Sequence, residues 1–209
     1  LVGSEMCIRD SSHCVSLISV DCSDKLTAIG SSAFFGCKAL VSIGDLSNVT
    51  SIESSVFRGC IALKSIGNMP KLESIGMQCF MGCTALETVG DLSSLKEIPS
   101  ETFDGCTSLV SIGDLSNVTI IGSYGFNQCK KLTSIPNLGS LESVNQFAFS
   151  GCESLALLGN LRKLTSFGYS PFVNSPFHNC PNLVLEVLPD SAAEQYAKDY
   201  NMQYTYITE

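Results

Sequence analysis

The feature that most constrains this chain is a cysteine every 23 residues. Cys14, Cys37, Cys60, Cys83, Cys106, Cys129 and Cys152 keep that spacing without exception, and Cys180 follows after 28. The nine residues SIGDLSNVT at 42–50 recur letter for letter at 111–119, three periods further on. A fixed period of this length marks a repeat array, in which one short unit is stacked on copies of itself.

Aligning the units gives columns. Three residues after each cysteine stands Leu17, Leu40, Leu63, Leu86, Leu109, Leu132, Leu155 or Leu183. Further columns carry Val20, Ile43, Ile66, Val89, Ile112, Ile135 and Leu158, then Ile29, Ile52, Ile75, Ile98, Ile121, Val144 and Phe167. An aromatic closes the unit at Phe34, Phe57, Phe80, Phe103, Phe126 and Phe149. Apolar residues three apart, broken by Gly, Asp, Asn and Ser, sustain neither a long helical stripe nor a strand alternation. One unit has too few of them to close a core. Stacked, each apolar position falls on its copy and the core becomes continuous. Eight coils at the parallel-strand spacing span roughly 35–40 Å. The expected fold is a β-rich, right-handed superhelical solenoid of about eight coils. Gly-Asp and Gly-Asn pairs mark one corner per coil, and Phe-x-Gly-Cys marks another.

The unit C-x-x-L-x-x-I-G-[DN]-L-x-x-[LV]-x-x-I-x-x-x-x-F-x-x resembles the leucine-rich repeats of the Bacteroides-surface-protein type (BspA-like), also 23 residues long. LVSIGDLSNVTSIESSVFRGC carries the family's Leu, Ile, Val, Ile, Phe and Cys positions; Gly-Asp/Asn-Leu replaces the family's Ile-Pro, so the corner after the first strand should differ. The likeness covers residues 14 to 209. The segment CPNLVLEVLPDSAAEQYAKDYNMQYTYI resembles the closing piece of such arrays, a short helix and a last strand. Ser191 followed by Glu194 is a capping-box pattern. The domains expected are a non-repeat segment 1–13, a repeat array 14–179, and a last partial repeat with its cap, 180–209. Residues 1–12 resemble an adapter-derived translation, so segment 1–13 is set aside as a candidate foreign piece. It lacks the basic start and apolar run of a signal peptide.

The resemblance implies a secreted or cell-surface bacterial protein that binds host proteins or other cells. Composition limits the partners: a net charge of −8 and a pI near 4.7 disfavour nucleic acid and anionic membrane. No apolar run is long enough for a transmembrane helix. The expected ligand is a protein, with a glycan as the other option.

The outward strand positions form the candidate binding face. One row holds Ser42, Ser65, Thr88, Ser111 and Ser134; its neighbour holds Lys64, Glu87 and Val110; Ile120 is the apolar exception in a second row. Ser and Thr are also ordinary solvent-facing strand residues. The last unit carries five extra residues in GYSPFVNSPFHNC, where Tyr169, Phe172 and Phe177 form a candidate binding loop; equally, one of these Phe residues fills the usual core slot.

Other chemistry is thin. With no C-x-x-C pair, the cysteine ladder reads as small buried hydrophobes rather than zinc ligands or disulfides. The column Asp45, Asn68, Asp91, Asp114, Asn137, Asn160 reads as a turn ladder rather than a calcium site, because charge alternates with neutral amide. Asn48-Val-Thr50 and Asn117-Val-Thr119 match a glycosylation triplet but sit inside the repeat consensus. His13 and His178 are the only histidines, and no phosphate loop or nucleophile elbow is present. No catalytic residue, cofactor or metal is expected. The function expected is a non-catalytic binding or adhesion module. The alternatives are a structural spacer presenting another domain, or an intracellular scaffold, which the many thiols favour.

Overall fold

The computed structural model describes residues 12–168 and 175–208. It is a parallel β-solenoid of about eight turns closed by one short helix and a last strand. Each coil contributes two short strands to two separate ladders. The first ladder is built from β1 (Ser19–Val20), β3 (Ser42–Ile43), β5 (Ser65–Ile66), β7 (Thr88–Val89), β9 (Ser111–Ile112), β11 (Ser134–Ile135), β13 (Leu157–Leu158) and β15 (Val184–Val187). The second is built from β2 (Ala28–Ile29), β4 (Ser51–Ile52), β6 (Ser74–Ile75), β8 (Glu97–Ile98), β10 (Ile120–Ile121), β12 (Ser143–Val144) and β14 (Ser166–Phe167). Pairing is parallel and in register at the repeat period, as in Ser19↔Ser42, Thr88↔Ser111 and Ile120↔Ser143. In each two-residue strand the first side chain faces outward and the second inward.

Neither ladder is continuous. The first breaks between β3 and β5 and between β9 and β11; the second breaks between β6 and β8. Two of these breaks have a covalent cause. The residue after each inward strand residue donates its N–H one coil back: Gly44 to Val20, Gly90 to Ile66, Gly122 to Ile98. Pro136 and Pro99 occupy that position at the β9/β11 and β6/β8 breaks, and proline has no N–H to donate.

The third side of each coil is the Phe-x-Gly-Cys corner. Here the backbone bonds run the other way along the axis. Phe34 N–H donates forward to Val56 O, and Gly36 N–H to Arg58 O, whereas in the first ladder Val41 N–H donates back to Ile18 O. The corner requires left-handed backbone twice per coil. Gly59, Gly82 and Gly105 have φ of 72–74°, and Ser55, Gln78 and Glu101 have φ of 59–60°.

The core is three sets of stacked columns. From Phe34 to Phe149 the rings lie parallel, with centroids 5.2–5.5 Å apart and planes within 10°. Leu and Ile columns from the two ladders fill the rest, nearly all fully buried. The ladder cysteines do more than fill space. Cys60 Sγ–H donates to Phe34 O at 3.1 Å, and Cys83, Cys106, Cys129, Cys152 and Cys180 repeat the bond one coil on each time. The expected small buried side chains in the core thus also carry a hydrogen bond. From Cys60 to Cys152 each ladder thiol is buried and also bridges adjacent coils through a carbonyl. Cys14, on the first coil, is exposed, and Cys180, on the last, is half-buried.

The cap is α1 (Ala192–Asp199) followed by β16 (Gln203–Tyr206), which pairs with β15 and ends the first ladder. Ser191 caps the helix through Glu194 N–H, as its sequence pattern predicts. Tyr196 stacks on Phe167 at 3.9 Å, joining the helix to the end of the second ladder. Glu194 is buried beneath the helix, where its carboxylate accepts from Lys198 Nζ at 2.8 Å, Tyr206 Oη–H at 2.6 Å and Asp190 N–H at 2.8 Å. The Lys198 and Tyr206 hydrogen bonds hold its carboxyl down at about 2 and push Tyr206 up to about 12.

Candidate binding surface

The first ladder presents an exposed outward column. Ser42, Ser65, Thr88 and Ser111 follow one another in a single exposed column, and Ser134 continues it, half-buried. Lys64, Glu87 and Val110 form the adjacent column. Each donates its N–H to the residue one coil before, so their side chains are spaced at the coil period. Val110 is 42% exposed. Ile18 at 65% and Val41 at 36% extend this column into an apolar end, so its middle is charged and one end is greasy. Ile120 does not join them. It lies on the second ladder, between Glu97 and Ser143. The candidate residues therefore divide between two faces.

The candidate loop also divides. Tyr169 and Phe172 lie outside the described residues. Phe177 is 6% exposed, its ring 6.0 Å from Phe149, so it is the next rung of the aromatic ladder rather than a surface contact. The corner regains the repeat geometry at Phe177.

The Asp/Asn column shows its work as turns. Asp45 Oδ1 accepts from Ser47 N–H and Oδ2 from Ser47 Oγ–H, which lowers the Asp45 carboxyl below its usual range. Asp91 and Asp114 repeat the arrangement with Ser93 and Ser116. Their oxygens are thereby committed to their own corners. The triplet asparagines reach between coils: Asn48 Nδ2 donates to Asp24 O and Asn117 Nδ2 to Ser93 O. Among the described residues no cluster of His, Cys, Asp and Glu is arranged to hold a metal. No described helix is long and apolar enough to cross a membrane.

The thiols are poor nucleophiles. Desolvation pushes Cys60 and Cys180 up to about 12, and raises the fully buried Cys106 and Cys129 well above the thiol range. Cys180 lies in the same cleft as His178, but its S–H turns inward to Phe149 O.

Two surface groupings escaped the sequence reading. Tyr124 and Phe147 stack at 5.0 Å on the corner side; their spacing of one period is the signal that could have found them. Near the first coils, Arg58 lies 5.7 Å over the Phe35 ring and donates to Gln78 Oε1, while His13 meets Phe35 edge-on. Phe35 and Arg58 stand one period apart in the same column, whereas His13 and Gln78 lie 22 and 20 residues from their partners and fall off it.

A stack of 23-residue coils with two parallel ladders and a Phe-x-Gly-Cys corner defines a repeat-solenoid protein of the leucine-rich class. Residues 11–112 and 73–192 match the BspA type leucine rich repeat region in six copies, so the chain belongs to that family. No curated protein matches the chain. A leucine-rich repeat protein from Eubacterium ventriosum is 25% identical, with a TM-score of 0.65 over 77% of this chain and 46% of its own length. The leucine-rich repeat protein of T. pallidum is 24% identical, with a TM-score of 0.57 over 96% of this chain and 78% of its own. One from Bacteroides ovatus is 23% identical, with a TM-score of 0.52 over 91% and 66% respectively. The chain thus spans less than half of the Eubacterium ventriosum protein.

Proposed function

We propose that this protein is a non-catalytic binding module of a bacterial cell surface or secreted protein, and that it holds a protein partner against the first-ladder face. The observation that carries this reading is the exposed outward column Ser42, Ser65, Thr88, Ser111, in which Ser65, Thr88 and Ser111 lie on directly paired strands, flanked by Lys64, Glu87 and Val110. It is flat, exposed over successive coils, and left uncovered by the cap. Small hydroxyl side chains let a partner approach closely, and the neighbouring column adds charge and apolar contact for selection. Family membership supports the surface location. Glycan contact is the lesser option, since the face carries no aromatic side chain to stack on a sugar.

The test uses fluorescently labelled protein on intact bacterial and animal cells, read by flow cytometry. Wild type should bind saturably. A Lys64→Glu/Thr88→Arg/Val110→Asp triple variant should lose the signal while keeping its circular dichroism spectrum. Full retention by that variant overturns the face assignment. No saturable binding by wild type favours the spacer role. Buried reduced thiols also suit a scaffold in a reducing compartment, and loss of the fold under oxidising production would favour that reading.

A further inference from the structure

The corner column ends differently from the ladders. Along the array, the corner N–H groups point toward the next coil. Phe34, Phe57, Phe80, Phe103, Phe126 and Phe149 each donate forward, and so do the residues two further on, from Gly36 to Gly151. At the last corner there is no next coil. Phe177 N–H turns to Ser175 Oγ at 3.2 Å. Asn179 N–H, the counterpart of Gly151 N–H, has no hydrogen-bond partner among the described residues, and neither has Ser175 N–H. The cap covers the first ladder through β16 and the second through Tyr196, but not this corner.

What stands there instead is a cleft of about 650 Å³ between residues 175–183 and the α1–β16 turn. Its floor is apolar, with Cys180, Leu183 and Met202, and its rim carries His178, Asn201 and Gln203. We propose that this cleft receives a peptide segment that folds over the last corner as a further coil would. The edge offers donors only, so the occupant must offer acceptors. In every earlier coil the acceptors are main-chain carbonyls at alternate positions, such as Ser54, Val56 and Arg58 on the second coil. A peptide that takes up the same turned corner, with left-handed backbone at the Ser55 and Gly59 positions, reproduces that arrangement and places an apolar side chain on the floor between its carbonyls. This is strand addition at an open edge, applied to a corner instead of a sheet. The site is separate from the first-ladder face and does not depend on it.

The test uses the ¹⁵N-labelled protein and a synthetic peptide carrying residues 53–60, ESSVFRGC, under reducing conditions. The expected result is saturable movement of the Ser175 and Asn179 amide signals, with the Asn179 amide exchanging at least about tenfold more slowly. The same peptide in reversed order should not do this. Gln203→Trp, on an exposed strand position that accepts an aromatic residue, fills the cleft and should weaken binding at least about tenfold. Unmoved Ser175 and Asn179 signals at millimolar peptide overturn the proposal. So does equal binding by the reversed peptide or by Gln203→Trp. Movement confined to Ser65, Thr88 and Ser111 would also overturn it and would place the peptide on the first-ladder face.

Discussion

The phenylalanine ladder should behave as a chain of nearest-neighbour contacts, and a double-mutant cycle measures this. Phe103 is fully buried, with Phe80 at 5.3 Å on one side and Phe126 at 5.2 Å on the other. Replacing it by Leu keeps an apolar side chain in the slot, at a cost of about 1 kcal/mol for the lost volume. It also removes two ring–ring contacts, each worth about 0.5–1.5 kcal/mol. The single variant should lose about 2–4 kcal/mol. Phe80→Leu should cost the same amount, and the double variant should cost less than the sum, because both singles delete the same ring pair. The coupling should be about 0.5–1.5 kcal/mol. Phe57 and Phe126 stand three rungs apart and share no contact, so their cycle should close to within about 0.5 kcal/mol. The assay is urea unfolding followed by far-ultraviolet circular dichroism, with the slope checked for each variant. Zero coupling between Phe80 and Phe103 would refute ring stacking as a source of stability and leave only burial. Equal coupling in both cycles would refute the nearest-neighbour picture.

Further predictions follow from single observations. Thiol titration of the folded protein should find Cys14 reactive at once, Cys22 and Cys180 slow, and Cys37, Cys60, Cys79, Cys83, Cys106, Cys129 and Cys152 reactive only after unfolding; missing thiols in the denatured sample would mean disulfides. Gly105→Ala pays only for its left-handed backbone, since the new Cβ would rest at an ordinary 3.7 Å from Gly82, and should cost about 1 kcal/mol in urea unfolding. Gly113→Ala would drive its Cβ into Gly90 O and should cost about 3 kcal/mol or more, so comparable losses at the two glycines would contradict the close packing of corners. The Glu194 carboxyl is held below its unfolded value, so the stability it contributes is present above about pH 4.3 and is lost as pH falls toward about 2. Because four of the six tyrosines are in the cap and tryptophan is absent, tyrosine fluorescence should report this loss, and Glu194→Gln should flatten it across that window.

The sequence alone determined the periodic half of this protein. Cysteine spacing and the Leu, Ile and Phe columns specify the coil, its core and its two corners, because in a solenoid each residue meets its own copy one period away. Ser191 and Glu194 announced the cap for a similarly local reason, as N-capping acts over three residues. What breaks the period needed tertiary structure. The sulfhydryl bridges from Cys60 through Cys152 to phenylalanine carbonyls span 26 residues rather than 23, so they lie off every column. The interruptions at Pro99 and Pro136 depend on which N–H the ladder uses, which only the register reveals. Phe177 could be read as loop or rung until its stacking on Phe149 was seen. The cleft beside Asn179 exists only because the array stops there, and a repeat pattern describes every position except its end.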